Sequence, residues 1–157
     1  MSQTTFQISV ENVFNRIFAS SAYTARSREA MGIPAELTSR MLLTADDKNI
    51  LAPLIENSVN EIFTDTARYH PGSSVTFKED KSDGYYAFNI NTPTNYPSNN
   101  KDRLSQAVES YIANRTLQGW YTDIKPDEAA IAATKAQNDA VVIQMLLGQR
   151  HKPTATY

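Results

Sequence analysis

Two histidines are the residues of this 157-residue chain best suited to proton or metal chemistry, and their positions do not favour it. His70 lies in a His-Pro-Gly segment that ends a predicted helix, and His151 lies near the end of the sequence. Neither has a second histidine or a carboxylate three or four residues further on along a regular helix, whereas a metal site needs several converging ligands. We interpret both as solvated side chains and predict no metal and no other cofactor.

Three adjacent carboxylate pairs could in principle act as a general acid and base. Asp46-Asp47 and Asp127-Glu128 stand at predicted helix starts, where negative charge interacts favourably with the helix dipole. Glu79-Asp80 stands in the turn of a predicted hairpin. A Ser/His/Asp triad is assembled in space, so spacing alone does not exclude one. The chain contains no GxSxG, HExxH, Walker or GxGxxG motif, and we predict that it is not an enzyme.

Charge and composition limit the partners. The net charge of −2 provides no bulk attraction for nucleic acid or for an anionic membrane. Arg26 and Arg28 lie near the end of the first predicted helix, where cations complement the dipole; phosphate contact is the alternative. With 41% hydrophobic and 20% charged residues, the sequence is typical of one globular domain.

The remaining compositional signals concern location. The chain has no cysteine, which fits folding in a reducing compartment and excludes thiolate chemistry. No apolar run approaches the roughly 18 residues needed to span a bilayer. The first residues lack the basic start and apolar core of a signal peptide. We expect synthesis in the cytoplasm and no membrane association.

Four amphipathic helices are predicted, and they must position any functional side chain. The first runs from a Ser9 N-cap to about Glu29, and the second from Ala45 to about Tyr69 with Pro53 inside it. The third begins near Asn99 or Asn100 and ends near Gly119, and the fourth runs from Pro126 to Gly148. A short helix within AELTSRMLL and a capping box of Thr44 with Asp47 precede the second helix.

One β-hairpin is predicted over residues 74–91, SVTFKEDKSDGYYAFNIN. Apolar residues alternate on both arms, and Asp83-Gly84 supplies turn residues that tolerate positive φ. An isolated hairpin is marginal in water, so its apolar face and its strand edges need another surface. Tyr85, Tyr86 and Tyr96 add aromatic side chains of a type enriched at protein interfaces, although Tyr86 could equally pack on the chain's own helices.

The predicted fold is therefore mainly α: a four-helix bundle with one inserted β-hairpin and an extended C-terminal tail. A single domain spans residues 1–157, with a flexible arm at 1–8, the bundle at 9–148 and the tail at 149–157.

The order of elements resembles a known family. A long helix ending in ARYHPG, the hairpin, the helix KDRLSQAVESYIANRTL and a last helix with a tail are similar to the head-to-tail connector or adaptor proteins, and tail ring proteins, of tailed bacteriophages. The resemblance implies a homo-oligomeric ring, commonly twelvefold, that joins the portal protein to adjacent tail proteins. DNA would pass through its lumen without sequence-specific binding. The first helix and the MGIP turn add more sequence than a minimal adaptor needs.

We accordingly expect a structural virion protein, made in the host cytoplasm. The expected subunit or partner interface comprises Val75, Phe77, Tyr85, Tyr86, Phe88, Ile90, Arg150, Lys152 and Tyr157. The main alternative is a small non-enzymatic protein-binding or regulatory module of a mobile genetic element. A weaker alternative is a hydrolase or transferase with a deep pocket that collects Asp65, Arg68 and His70.

Overall fold

A computed structural model describes residues 2–66, 78–80, 85–92 and 99–148. The protein is mainly helical, as the sequence predicts. The elements in chain order are β1 (Ser2–Ser9), α1 (Val10–Ala30), α2 (Ala35–Met41), a 3₁₀ turn (Ala45–Asp47), α3 (Lys48–Asp65), β2 (Lys78–Asp80), β3 (Tyr85–Thr92), α4 (Asn100–Tyr121) and α5 (Pro126–Gly148).

Local capping signals in the sequence define several of these boundaries. The Ser9 hydroxyl accepts a hydrogen bond from the Asn12 amide at 3.2 Å and caps α1, as predicted. The Thr44 amide donates to Asp47 Oδ2 at 2.9 Å within the predicted capping box. Beyond α1, Gly32 has a φ of 92°, in the left-handed region that favours glycine. Each of these three signals acts within a few residues of its own position in the sequence.

The third helix was predicted to end near Gly119, and α4 ends close to it, at Tyr121. Gly119 itself lies within the helix. A Cβ atom at this position would lie 3.1 Å from Leu54 Cδ2, so the glycine lets α3 approach α4 closely. It therefore serves helix packing rather than helix termination.

Helix α4 lies at the centre of the fold. It packs against α5, α3, α1 and β1, and its side chains Tyr111 and Ile112 are fully buried. The core also takes in Ile17 from α1, Ile62 from α3 and Ile143 from α5. The helices are thus organised around one central helix, an arrangement that the expectation of a four-helix bundle did not include.

The strands form a three-stranded antiparallel sheet with the order β1-β3-β2. Strands β2 and β3 pair within the predicted hairpin range, but β1 was not predicted. The expectation of a flexible arm at 1–8 is corrected by the structure. Residues 2–8 belong to a strand whose register with β3 runs from Ser2↔Thr92 to Ser9↔Tyr85. Ile8 is fully buried and anchors the strand on the helices. This pairing joins segments about 80 residues apart, which local sequence patterns do not report.

Candidate interaction surfaces

The structure describes only part of the interface expected from the sequence. Tyr86 is 5% exposed and belongs to the core, so it packs on the chain's own helices, which is the alternative left open above. Tyr85, Phe88 and Ile90 lie in β3 opposite Ser9, Phe6 and Thr4 of β1. The other expected interface residues lie outside the described residues: Val75, Phe77, Arg150, Lys152 and Tyr157.

The two edges of the sheet differ in length and chemistry. At one edge, β1 has eight residues, SQTTFQIS, without a charge or a proline. At the other edge, the described part of β2 has three residues, Lys78–Asp80, and all three are charged. Charged and short edge strands discourage pairing with further strands, whereas long uncharged ones permit it. In the part of the chain that the structure describes, β1 pairs only with β3.

A second surface is formed by the C-terminal half of α5. Val141, Val142 and Met145 are 52%, 45% and 67% exposed and form what we term the α5 ridge. The opposite side of the same turns buries Ile143, Leu146 and Leu147 in the core. From residue 140 to residue 148 this helix contains no charged residue. It is thus apolar around most of its circumference, which is typical of a helix that is covered on all sides.

Two grooves flank the α5 ridge. The α1 groove, of about 510 Å³, lies between α5, α4 and α1, and Arg16, Arg103 and Asp139 line it together with Val142 and Met145. The α3 groove, of about 500 Å³, lies between α5, α4 and α3. Met145 contributes to both grooves, so the ridge separates them.

The charges of the two grooves are unlike. In the α1 groove, Asp139 accepts hydrogen bonds from Ser110 Oγ and Asn114 Nδ2, each at 2.8 Å, and these bonds satisfy its carboxylate within the fold. Arg103 is exposed, and Arg16 is 3.7 Å from Glu109 with 42% of its side chain exposed. The basic side chains therefore dominate the outward charge of this groove.

Acidic side chains dominate the charge at the rim of the α3 groove and on the adjoining surface of α3. Arg115 lies 3.5 Å from Glu61 and donates to Gln118 Oε1 at 2.7 Å, while its guanidinium stacks on the Tyr111 ring at 5.4 Å. Asp65 is exposed at the rim. Beyond the groove, α3 carries no basic residue after Lys48. The outer surface of α3 is therefore acidic.

The α3 groove also bears on the expected hydrolase pocket. It contains Asp65, while Arg68 and His70 lie outside the described residues. Burial raises the pKa of Tyr111 to about 12, so this hydroxyl keeps its proton at neutral pH. Among the described residues, no group of three or more His, Cys, Asp or Glu side chains could hold a metal ion.

A buried ion pair was missed by reasoning from the sequence. Arg28, at the end of α1, donates from Nε to Glu128 Oε1 at the start of α5, and Glu128 is 5% exposed. The hydrogen bond with Glu128 is the main cause that raises the pKa of Arg28. The sequence places each residue at a helix end but contains no signal that joins positions 100 residues apart. Asp127, beside Glu128, stays exposed, as its role at the helix start predicts.

Among the described residues, no helix is long and apolar enough to cross a membrane. Searches with the chain found no matching family model, no matching curated protein and no matching solved structure.

Proposed function

We propose that this chain is a non-enzymatic structural subunit of a bacteriophage particle. Copies of it would form a ring in the head-to-tail connector or tail, join the portal protein to adjacent tail proteins, and let DNA pass through the lumen. The element order that resembles connector and tail ring proteins motivates the proposal. The observation that carries it is the α5 ridge, which leaves Val141, Val142 and Met145 exposed on a helix that is already buried on its other side.

Covering the α5 ridge is favourable because burial of apolar surface contributes roughly 25 cal/mol per Å². The proposed cover is a neighbouring copy of the same chain. The supporting observation is charge complementarity, since Arg16 and Arg103 flank the ridge on one side while the exposed surface of α3 is acidic. A basic groove of one copy can therefore face the acidic α3 of the next.

A contact between two unlike patches is heterologous, and such contacts close into a ring when the rotation between copies allows it. In this proposal the fold is a helical bundle in which the β2–β3 hairpin is inserted between α3 and α4. The hairpin and residues 149–157 would contribute further contacts to neighbouring copies, the portal or the tail. Apart from Tyr86, which is buried in the chain's own core, the interface residues expected from the sequence lie in these two segments.

The net charge of −2 is compatible with a DNA conduit. Tight binding to DNA phosphates by Lys and Arg adds affinity that is independent of sequence, and it would slow the passage of DNA. We propose that the ring surrounds DNA without gripping it.

The substitution Met145→Lys tests the proposed ring contact. A charged side chain at this position remains solvated in the monomer but would be buried in the contact, so we expect ring-sized species to be lost and the mass in solution to fall. Tyr23→Lys is the matched control, because Tyr23 is 76% exposed on α1 and lies outside both grooves. Light scattering after size exclusion gives the masses, and electron microscopy of wild-type particles shows whether they are rings.

Two results would count against the proposal. A wild-type protein that stays monomeric and binds neither a portal nor a tail protein favours the protein-binding or regulatory module instead. An oligomer whose mass is the same for wild type and Met145→Lys shows that the α5 ridge is not the contact.

A further inference from the structure

We infer that the outer edge of β1 pairs with β1 of a second copy, antiparallel and about a two-fold axis. This contact lies on the sheet and not on the α5 ridge, so it goes beyond the proposed ring and does not depend on it. Its effect would be to join two three-stranded sheets into one sheet of six strands.

The first support is the chemistry of β1 itself. All eight of its residues, from Ser2 to Ser9, pair in continuous register with β3, without a bulge. Proteins protect edge strands with charged residues, prolines, bulges or short lengths, and β1 has none of these. The Ser9 backbone already bonds Glu109 of α4. The N–H and C=O groups of residues 2–8 that point away from β3 are the ones that would bond another strand.

The second support is the contrast between β1 and the opposite edge of the sheet. This contrast indicates which strand of another copy pairs with β1. Head-to-tail addition would place β1 of one copy beside β2 of the next, but the described part of β2 is three charged residues. Of the two edges as far as the structure describes them, β1 is the long one without charges, and so its best partner on another copy is the same strand. Among the described strands each sheet has one such edge, and a two-fold contact between these edges is closed at two copies.

Two-fold symmetry limits the register between the two β1 strands to two possibilities. A two-fold axis normal to the sheet keeps the helices of both copies on the same side, because α4 and α1 pack on β1. Directly opposite residues in an antiparallel pair point to the same face, so some residue must lie opposite its own copy. Centring the axis on Thr5 or on Phe6 gives the longest overlap, since these are the middle residues of Ser2–Ser9.

Single cysteines in the full-length protein test this geometry directly, because the chain contains no cysteine of its own. The residue on the axis faces itself with Cα atoms about 4.5 to 5.5 Å apart, within the range of a disulfide. Its neighbours along the strand lie about 8 Å from their own copies, beyond that range. Four variants sample the centre of the strand: Thr4→Cys, Thr5→Cys, Phe6→Cys and Gln7→Cys.

We expect mild oxidation to produce a cross-linked dimer strongly at Thr5→Cys or Phe6→Cys and at least tenfold less at the neighbouring positions. No cross-link at any of the four positions overturns the inference, whatever the mass of the wild type. Equal cross-linking at all four also overturns it, because random collision has no preferred position. The ring proposal is judged separately by Met145→Lys, so a cross-linked dimer with no larger species supports β1 pairing and contradicts the ring.

A pair of proline variants supplies a second measurement that does not need oxidation. The N–H groups of neighbouring residues in a strand point to opposite sides, so either Thr4 or Thr5 directs its N–H to the free edge. In the Met145→Lys background, one of Thr4→Pro and Thr5→Pro should retain the circular dichroism spectrum of the folded protein while self-association through β1 weakens roughly tenfold or more. If the variant that remains folded associates as the Met145→Lys protein does, the inference is wrong.

Discussion

The two sides of α5 make the most instructive comparison in this molecule. On its inner side, Ala132 and Ala136 are small and buried, and Asp139 is satisfied by Ser110 and Asn114 of α4. On its outer side, the α5 ridge leaves large apolar side chains in water. One side is covered by the chain's own helices, and the other is exposed.

Because the two sides of α5 differ in this way, substitutions on them should affect different properties, the stability of the fold and the association of copies. Substitutions on the inner side remove contacts that the single chain makes, so they should lower the free energy of unfolding. Substitutions on the ridge remove fewer contacts from the isolated chain, so they should lower the free energy of unfolding less and, in the proposed ring, weaken assembly. Association of copies, as proposed, would also stabilise the folded state, so the stability measurements below use the Met145→Lys background at a low and constant protein concentration.

The largest expected effect comes from a pair of isoleucines on α5. Ile143 is fully buried, and Ile143→Ala leaves a cavity in the core, so we expect it to lower the free energy of unfolding by about 2–5 kcal/mol. Ile131 is 42% exposed on the same helix, and Ile131→Ala should change it by about 0.5 kcal/mol or less. Urea unfolding followed by circular dichroism measures both. Equal losses would contradict the assigned orientation of α5.

The buried ion pair gives the next largest effect. Glu128→Ala leaves Arg28 without its partner, and because Arg28 is 25% exposed we expect a loss of about 3 kcal/mol, the lower end for buried pairs. Asp127→Ala is the matched control at the adjacent position. Asp127 is 89% exposed, and its ion pair with Lys125 Nζ, at 3.8 Å, is a surface contact. Its removal should therefore lower the free energy of unfolding by about 0.3–1 kcal/mol. Chemical denaturation of the two variants compares them; similar values would mean that the Arg28–Glu128 pair does not join α1 to α5.

A smaller effect concerns Glu109, which is 7% exposed on α4. Burial raises the pKa of Glu109, against the opposing influence of Arg16, Asn12 and the backbone of Ser9. Its neutral form is therefore favoured by folding, and this contribution to stability is present at low pH and is lost as the pH rises through the raised pKa. We expect the stability of Glu109→Gln relative to wild type to increase between pH 4 and pH 7. A difference that decreases over this range would show that the Arg16 ion pair outweighs burial.

Local signals predicted much of the helical structure. Pro126, Asp127 and Gly148 defined both ends of α5, Ser9 defined the start of α1, and the Thr44–Asp47 box was correct. Each signal acts within one helical turn, so a single sequence contains it.

Features that join distant segments were not predictable in this way. The pairing of β1 with β3 and the Arg28–Glu128 pair both depend on tertiary packing. The α5 ridge was hidden for a related reason: its residues fit one amphipathic helix, and only the placement of α4 decides which of them are covered. The expected interface in the hairpin and tail stays a prediction.

We propose that copies of this chain complete surfaces that one copy leaves open. Sedimentation velocity of the wild type over a wide concentration range tests it most directly. The account predicts a mass that rises with concentration above the 17.5 kDa of one chain and reaches a closed assembly. A single species at the monomer mass throughout, with the fold intact by circular dichroism, would contradict it.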